Sequence, residues 1–164
     1  MQDLLAFSAQ ERIFLVHAAY GKAMLQAHGL EITLGTLLIC HATFSPDLRT
    51  SRDAKIAQVR RLTLGALIEQ FVKVFSPEQN LIEELDNLLF FRNELAHRIS
   101  DTIVSAATRV NWEQRVLTEL EEIRSYFVDV KPLFEPYMEA FRAQIGITEE
   151  QMLELARKAY PGAA

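Results

Sequence analysis

A single helical period in the first quarter of this chain restricts the fold more than any other feature. From Ile13 to His41 the apolar side chains recur at steps of three and four residues with a nearly constant phase, as on one face of an α-helix. Gly29 interrupts the run, and glycine often ends a helix, but the phase does not reset there. We therefore predict one long helix over residues 8–44, with two helices broken at Gly29 as the alternative.

The rest of the chain is also helical in pattern. Only 6 Gly and 5 Pro occur in 164 residues, which favours a few long helices over many short strands. Ser8, Ser76 and Thr148 each stand where an N-terminal cap is expected, with Glu or Gln three residues later. Pro132 and Pro136 predict a kink within the last long helix. We expect the later helices at about residues 53–60, 63–75, 77–98, 112–145 and 148–160.

These helices predict an all-α fold, a bundle of about four core helices plus a short C-terminal helix. The first long helix and the helix that begins near Trp112 match in length, and we expect them to pair antiparallel. At 164 residues the chain has the size of one domain. We therefore assign residues 1–164 to a single helical domain.

Composition and charge exclude several classes of protein. The formal net charge of −5 argues against a surface that is basic throughout, so any contact with nucleic acid must be a local patch. The single cysteine, Cys40, excludes an intramolecular disulfide framework, and we expect it to pack in the core. Cys40 and His41 have no CxxC or HxxxH partner nearby, and Glu83, Glu84 and Asp86 are expected to form a solvated helix face, so we predict no metal and no cofactor.

The N-terminal region also bears on localisation. The first residues lack the positive charge that a signal peptide carries. The most apolar run, residues 30–44, is interrupted by Glu31 and His41 and is too short to cross a bilayer. These features predict a cytoplasmic protein with no membrane contact.

Residues 90–99 place strong polar groups within an apolar helix. Arg92 falls on the face that is expected to be buried, where an unpaired charge is unfavourable. Asn93 and His97 are four residues apart, so the amide can orient the imidazole. Arg92 and His97 are five residues apart, roughly 140° around an ideal helix, and converge only if the helix loosens or a second copy faces the first. The other members of the buried face are Leu81, Leu85, Leu88, Leu95 and Ile99.

The run Arg92-Asn93-Glu94-Leu95-Ala96-His97 resembles the motif of the HEPN superfamily (higher eukaryotes and prokaryotes nucleotide-binding domains). In that motif Arg and a polar residue, often Asn, precede His after a short spacer. The resemblance implies a HEPN-like helical bundle and a homodimer that brings the motifs of two chains together. Many HEPN proteins are metal-independent ribonucleases, and related members act as toxins or antiviral effectors that a partner restrains. An antitoxin or another regulatory protein is therefore an implied partner.

From this resemblance we predict a metal-independent endoribonuclease that acts on an RNA substrate. Its composite site is formed by Arg92, Asn93 and His97 of both subunits. His97 is expected to act as general base or acid, and Arg92 to hold the phosphate as charge accumulates. Asn93 is expected to orient His97 or to contact the phosphate. The implied products carry a 2′,3′-cyclic phosphate and a 5′-hydroxyl.

Residues 48–61 form the most basic segment of this acidic chain. Without the nuclease-like motif, the simplest interpretation of this segment is a solvent-exposed connection between helices. Beside a nuclease-like motif it becomes a candidate for phosphate binding, because Lys and Arg attract the backbone of any RNA sequence. The predicted RNA-binding residues are Arg49, Arg52, Lys55, Arg60 and Arg61.

A non-catalytic function is the alternative. HEPN-like bundles also include interaction and nucleotide-binding modules that do not cleave RNA. The acidic net charge and the carboxylate of Glu94 inside the motif both favour this alternative. A polar network that satisfies Arg92 and His97 within a closed interface would have the same sequence.

Overall fold

The computed structural model describes residues 6–44, 52–98 and 111–160, and within these ranges every regular element is a helix. The prediction of an all-α fold is therefore confirmed. The elements are α1 (Ala9–Phe44), α2 (Arg52–Val59), α3 (Leu64–Phe75), α4 (Gln79–Asn93), a π-helical turn (Glu94–Arg98), α5 (Trp112–Val130), a 3-10 turn (Lys131–Phe134), α6 (Glu135–Ile145) and α7 (Glu149–Ala159).

Helix α1 is one continuous element, as the unbroken apolar phase predicts. Its first turn is closed by a reciprocal cap. The backbone N–H of Ser8 donates to Glu11 Oε2 at 2.7 Å, and the N–H of Glu11 donates to Ser8 Oγ at 3.3 Å. The helix passes through Gly29, whose carbonyl accepts a hydrogen bond from the Thr33 hydroxyl at 3.0 Å.

By length and composition alone, α1 could also cross a membrane. Its most apolar window of 18 residues has a mean hydropathy of 1.3, and 56% of that window is buried inside the protein. The sequence analysis tested only residues 30–44 for membrane crossing and did not apply the test to the whole helix that it predicted over residues 8–44. A buried core helix passes the same test, so a cytoplasmic protein without membrane contact stays a prediction.

Local capping residues set the starts of two later helices where the sequence predicts them. Thr63 accepts a hydrogen bond from the N–H of Ala66 at 3.4 Å and begins α3. Thr148 and Gln151 form a complete capping box for α7, with bonds of 2.8 and 3.3 Å. Such caps satisfy amides that have no partner within the helix.

The start of α4 differs from the prediction. Ser76 is not an N-cap: it ends α3 in the left-handed conformation, with φ of 45°, and its N–H donates to the carbonyl of Val72 at 3.0 Å. An N-cap requires an extended backbone, so Ser76 cannot serve both helices. Helix α4 begins at Gln79, and the carbonyl of Glu78 accepts its first bonds from Leu81 and Ile82 at 3.0 and 3.2 Å.

The two prolines interrupt the last long helix, as expected. Helix α5 ends at Val130, and a 3-10 turn containing Pro132 separates it from α6. Pro136 lies in the first turn of α6, where its missing N–H leaves no helix bond unmade. Gly146, with φ of 67°, ends α6.

Contacts divide the chain into two compact units. The first comprises the chain up to His28 together with residues 86–130, and the second comprises residues 29–85 with the chain from Lys131 onward. The single domain over residues 1–164 stays a prediction.

In the first unit, α1 and α5 run parallel. Arg12 Nε lies 3.0 Å from Glu113 Oε1, and further along both helices the Lys22 charge acts on the Glu121 carboxylate. The expectation of an antiparallel pair is therefore wrong. Matching length does not set direction, and the intervening residues, which include α2, α3 and α4, provide a connection long enough for a parallel pair. The buried side chains of this unit include Val16, Ala23, Leu88, Leu95, Val116, Leu120, Ile123 and Phe127.

Aromatic side chains dominate the core of the second unit. The Phe71 ring packs edge-on against Phe134 and Tyr137, with ring centroids 5.7 and 5.3 Å apart. Cys40 is fully buried beside Phe141, so its predicted core role is confirmed. These residues join α3 and α6 to the C-terminal part of α1.

The end of α7 approaches α1 closely in the same unit. A Cβ placed on Gly35 would lie 1.9 Å from the Tyr160 hydroxyl oxygen, which is far inside contact distance. Burial raises the pKa of the Tyr160 phenol, with a smaller opposite effect from Arg60. A side chain at position 35 would therefore force the Tyr160 ring to shift.

Candidate functional site

The predicted motif lies at the C-terminal end of α4, in the first unit. Leu85, Leu88 and Leu95 are fully buried, as the helical phase predicts. Arg92 falls between them in sequence and is half-buried, whereas Asn93 and His97 are exposed. Ile99, the last predicted member of the buried face, lies outside the described residues. The helix thus presents the amide and the imidazole to solvent and keeps the guanidinium partly covered.

A π-helical turn occupies residues 94–98, directly after Asn93. In a π-helix the hydrogen bonds join residues five apart, so each turn contains more residues than an α-helical turn. The angle between Arg92 and His97 around the axis is therefore smaller than the roughly 140° of an ideal α-helix. The sequence analysis named a loosened helix end as one way for these side chains to converge. Single π-helical turns are frequent at functional sites.

A row of aromatic rings adjoins the motif on its N-terminal side. Phe90 is 55% exposed, and its ring contacts Phe91 edge-on with centroids 5.4 Å apart. The Phe91 ring in turn lies 4.9 Å from Tyr126 of α5. Sequence reasoning placed Phe90 at the edge of the motif without giving it a role. The available signal was its position three residues before Asn93, on the polar face of the helix.

Three of the predicted RNA-binding residues are described in full and lie in the second unit. The other two are not described in full. Arg49 lies outside the described residues, and Arg52 is described only as the first residue of α2. The ammonium of Lys55 donates to Gln58 Oε1 at 3.1 Å. Arg60 and Arg61 are exposed in the turn that follows α2.

The fold adds one cation to this basic segment. Arg60 and Lys158 of α7 line the same open cleft, which Asp53 also borders. Lys158 is ion-paired with Glu154 on its own helix. The sequence analysis missed Lys158, because nothing in a linear sequence indicates that the end of α7 meets α2.

Metal ligation finds no support in the arrangement of side chains. Across residues 6–44, 52–98 and 111–160, no three His, Cys, Asp or Glu side chains come together as ligands for a metal ion. The motif itself supplies an imidazole, a guanidinium and an amide group, together with the carboxylate of Glu94.

Comparisons with models of protein families, with curated proteins and with solved structures found no match. The case for a function therefore rests on three features of the chain. These are the motif residues, the exposure of Asn93 and His97 at the end of α4, and the π-helical turn that follows Asn93.

Proposed function

We propose that this chain is a metal-independent endoribonuclease of HEPN type, with a composite active site formed by two Arg92-Asn93…His97 motifs across a homodimer. The observation that carries the proposal is the exposure of Asn93 and His97 beside a half-buried Arg92. The π-helical turn reduces the angle between Arg92 and His97 around the helix axis. A helical bundle of HEPN type agrees with the all-α fold of the described residues.

His97 supplies proton transfer in this mechanism. An imidazole changes charge near neutral pH, so it can accept the proton of an RNA 2′-hydroxyl as general base. The freed 2′-oxygen then attacks the adjacent phosphorus, and the bond from phosphorus to the 5′-oxygen breaks. The products are a 2′,3′-cyclic phosphate and a 5′-hydroxyl, and no external oxidant or water molecule is consumed in this step.

Arg92 and Asn93 act on the phosphate and on the imidazole. The planar guanidinium of Arg92 can form two hydrogen bonds to phosphate oxygens as negative charge increases in the transition state. Its partial burial limits the number of side-chain conformations, which favours a fixed geometry. Asn93 is four residues before His97 and positions the ring through its amide, or contacts the phosphate directly.

The departing 5′-oxygen needs a proton, and a homodimer provides the second imidazole. In the proposed dimer, His97 of the partner subunit protonates this oxygen while the first His97 accepts the 2′-hydroxyl proton. The surface around the motif helix is therefore expected to border the contact between the two copies. A regulatory partner such as an antitoxin would act by covering this site or by preventing the dimer.

The RNA backbone also requires attraction outside the reacting phosphate. Arg60 and Arg61 are exposed and available for this role, with Lys55, Arg52 and Arg49 nearby in the sequence. Their contribution is to binding and carries no sequence preference.

The direct test is cleavage of total RNA by the purified protein in the presence of a chelator. We expect fragments that end in 2′,3′-cyclic phosphate, and we expect His97→Ala to abolish them. His17→Ala is the matched control, because His17 is also an exposed helical histidine of the first unit. Cleavage that survives His97→Ala would assign the activity to a contaminant or to another residue.

The second candidate is a non-catalytic interaction or nucleotide-binding module. It is favoured by Glu94, which places a half-buried carboxylate within the motif, and by the net charge of −5. This candidate predicts a folded dimer that binds nucleotide or protein and does not cleave RNA at any concentration. Absence of cleavage together with nucleotide-dependent stabilisation would therefore select it.

A further inference from the structure

Phe90 is an exposed aromatic residue on an otherwise polar helix face. Its neighbours on the exposed side of α4 are Asp86, Asn87 and Asn93, and 55% of Phe90 remains accessible to solvent. Single exposed apolar side chains are common on protein surfaces, so it is the position of this ring beside the motif, and not its exposure alone, that makes it a candidate contact for a flat ligand.

The ring stands next to the proposed catalytic groups. Phe90 and Asn93 are three residues apart, and residues at this spacing are neighbours on a helix surface. His97 follows Asn93 by four residues and is exposed on the same side. The order along this face is therefore an aromatic ring, an amide and an imidazole, over about two helical turns.

Packing against Phe91 restricts the movement of the Phe90 ring. Phe91 contacts it edge-on at 5.4 Å, with the two ring planes at 69°. Phe91 is itself half-buried against Tyr126, and Tyr126 packs against the buried Phe127. An edge-to-face contact leaves the exposed ring a free surface while limiting its movement. A ring that is already ordered loses little entropy when a ligand stacks on it.

We propose that Phe90 is the stacking platform for one base of a single-stranded RNA whose neighbouring phosphate is held at Arg92 and His97. The inference rests on the proposed ribonuclease function and adds a residue that positions the RNA substrate. Proteins that bind single strands combine cationic groups for the backbone with aromatic rings on which bases stack. A base within a duplex is stacked on both sides and has no free face to offer.

Binding to a non-cleavable probe tests this inference separately from catalysis. The probe is a short single-stranded oligonucleotide with 2′-O-methyl groups, which lacks the attacking hydroxyl. Phe90→Ala is expected to weaken binding roughly 5- to 150-fold, the range measured when a stacking aromatic is removed. Phe90→Trp should retain the affinity. Phe14→Ala is the matched control, because Phe14 is 71% exposed in the same unit and lies outside the motif helix.

Fluorescence reports stacking directly. Trp112 is the single tryptophan of the chain, so Trp112→Phe provides a silent background. In that background the tryptophan introduced by Phe90→Trp should be quenched by the single-stranded probe. It should respond weakly to a duplex and to a strand of equal length whose sugars carry no bases. The tryptophan introduced by Phe14→Trp should respond to none of them.

Four results would overturn the inference. The first is equal affinity of the wild type and Phe90→Ala, and the second is no binding of the probe by the wild type. The third is equal quenching by strands with and without bases. The fourth is conversion of a dimer to a monomer by Phe90→Ala in light scattering, which would assign the ring to a contact between copies. His97-dependent cleavage with unchanged binding by Phe90→Ala would overturn this inference alone. Phe90-dependent binding without any cleavage would instead overturn the ribonuclease proposal alone.

Discussion

The guanidinium of Arg12 in α1 is paired with the carboxylate of Glu113 in the first turn of α5, with Nε and Oε1 3.0 Å apart. The same guanidinium donates from Nη1 to the carbonyl of Phe7 at 2.7 Å. Side-chain exposure is 25% for Arg12 and 13% for Glu113, so the pair is shielded from solvent.

Loss of this pair should destabilise the fold. We expect Arg12→Met to lower the free energy of unfolding by about 1–3 kcal/mol, because it leaves the Glu113 carboxylate covered without its partner. Arg124→Met is the matched control, since Arg124 pairs with an exposed Glu121 on its own helix and should matter much less. Urea denaturation measures both changes. Equal effects of the two substitutions would mean that burial adds nothing to the Arg12 pair.

Two glycines of α1 should respond to alanine with opposite sign. Gly35→Ala should destabilise the protein by about 1–3 kcal/mol, because the new methyl group collides with the Tyr160 hydroxyl. Gly21→Ala should stabilise it by up to about 1 kcal/mol, because no heavy atom lies within 4 Å and alanine favours the helix. Thermal denaturation of both variants gives the comparison. If the collision is the cause, Gly35→Ala should become nearly harmless when combined with Tyr160→Ala.

His41 should make stability depend on pH. Burial, and secondarily the charge of Lys55, lower the pKa of its imidazole in the folded state. The unfolded chain, with a pKa near the usual value of about 6.5, therefore takes up the proton first as pH falls. The free energy of unfolding should decrease as pH falls through about 6.5 and level off once the pH is below the folded pKa.

Substitution isolates this contribution. His41→Gln should reduce the loss of stability between about pH 7.5 and 5.5, measured by urea denaturation. His17→Gln, at an exposed position of the same helix, is the control for the change of residue type. A pH profile that His41→Gln does not alter would contradict the assignment.

The motif should behave as one functional unit. Arg92→Ala and His97→Ala should each abolish RNA cleavage while helical content, measured by circular dichroism, stays that of the wild type. If both groups act in one transition state, the double substitution should be scarcely worse than either single one. Asn93→Ala should retain partial activity, because the amide orients the imidazole and transfers no proton. If the motif were only a structural polar network, these substitutions would lower the melting temperature and the wild type would not cleave RNA.

The two arginines that follow α2 should affect RNA binding and leave the chemical step intact. Arg60→Gln combined with Arg61→Gln should weaken binding of single-stranded RNA. Each lost phosphate contact should reduce the slope of log affinity against log salt by about 0.7. Arg115→Gln, an exposed arginine of α5, is the control. Unchanged affinity would mean that the segment only connects two helices and does not bind RNA.

The sequence predicted features that depend on short-range interactions. The caps at Ser8 and Thr148 involve side chains three residues apart, so their residue types indicate the helix starts directly. The same reasoning was wrong at Ser76, because the end of α3 imposes a left-handed backbone there before α4 can begin. A local pattern decides a helix boundary only where no neighbouring helix competes for the same residue.

Features set by tertiary contacts were not predictable in the same way. The motif residues were identified by type and spacing, but the π-helical turn after Asn93 has no sequence signature comparable with a cap. The exposure of Phe90 depends on how Phe91 and Tyr126 pack beneath it. The parallel direction of α1 and α5 depends on contacts such as that between Arg12 and Glu113, which helix length cannot indicate.

The packing of α1 against a helix that is distant in sequence has a consequence for synthesis of the protein. Arg12 and Glu113 are 101 residues apart, so α1 leaves the ribosome long before α5 exists. At 5–20 residues per second this interval is roughly 5–20 s. Throughout it, the side of α1 that α5 will cover faces solvent or a chaperone. A nascent chain of this protein is therefore most prone to aggregate before α5 has been translated.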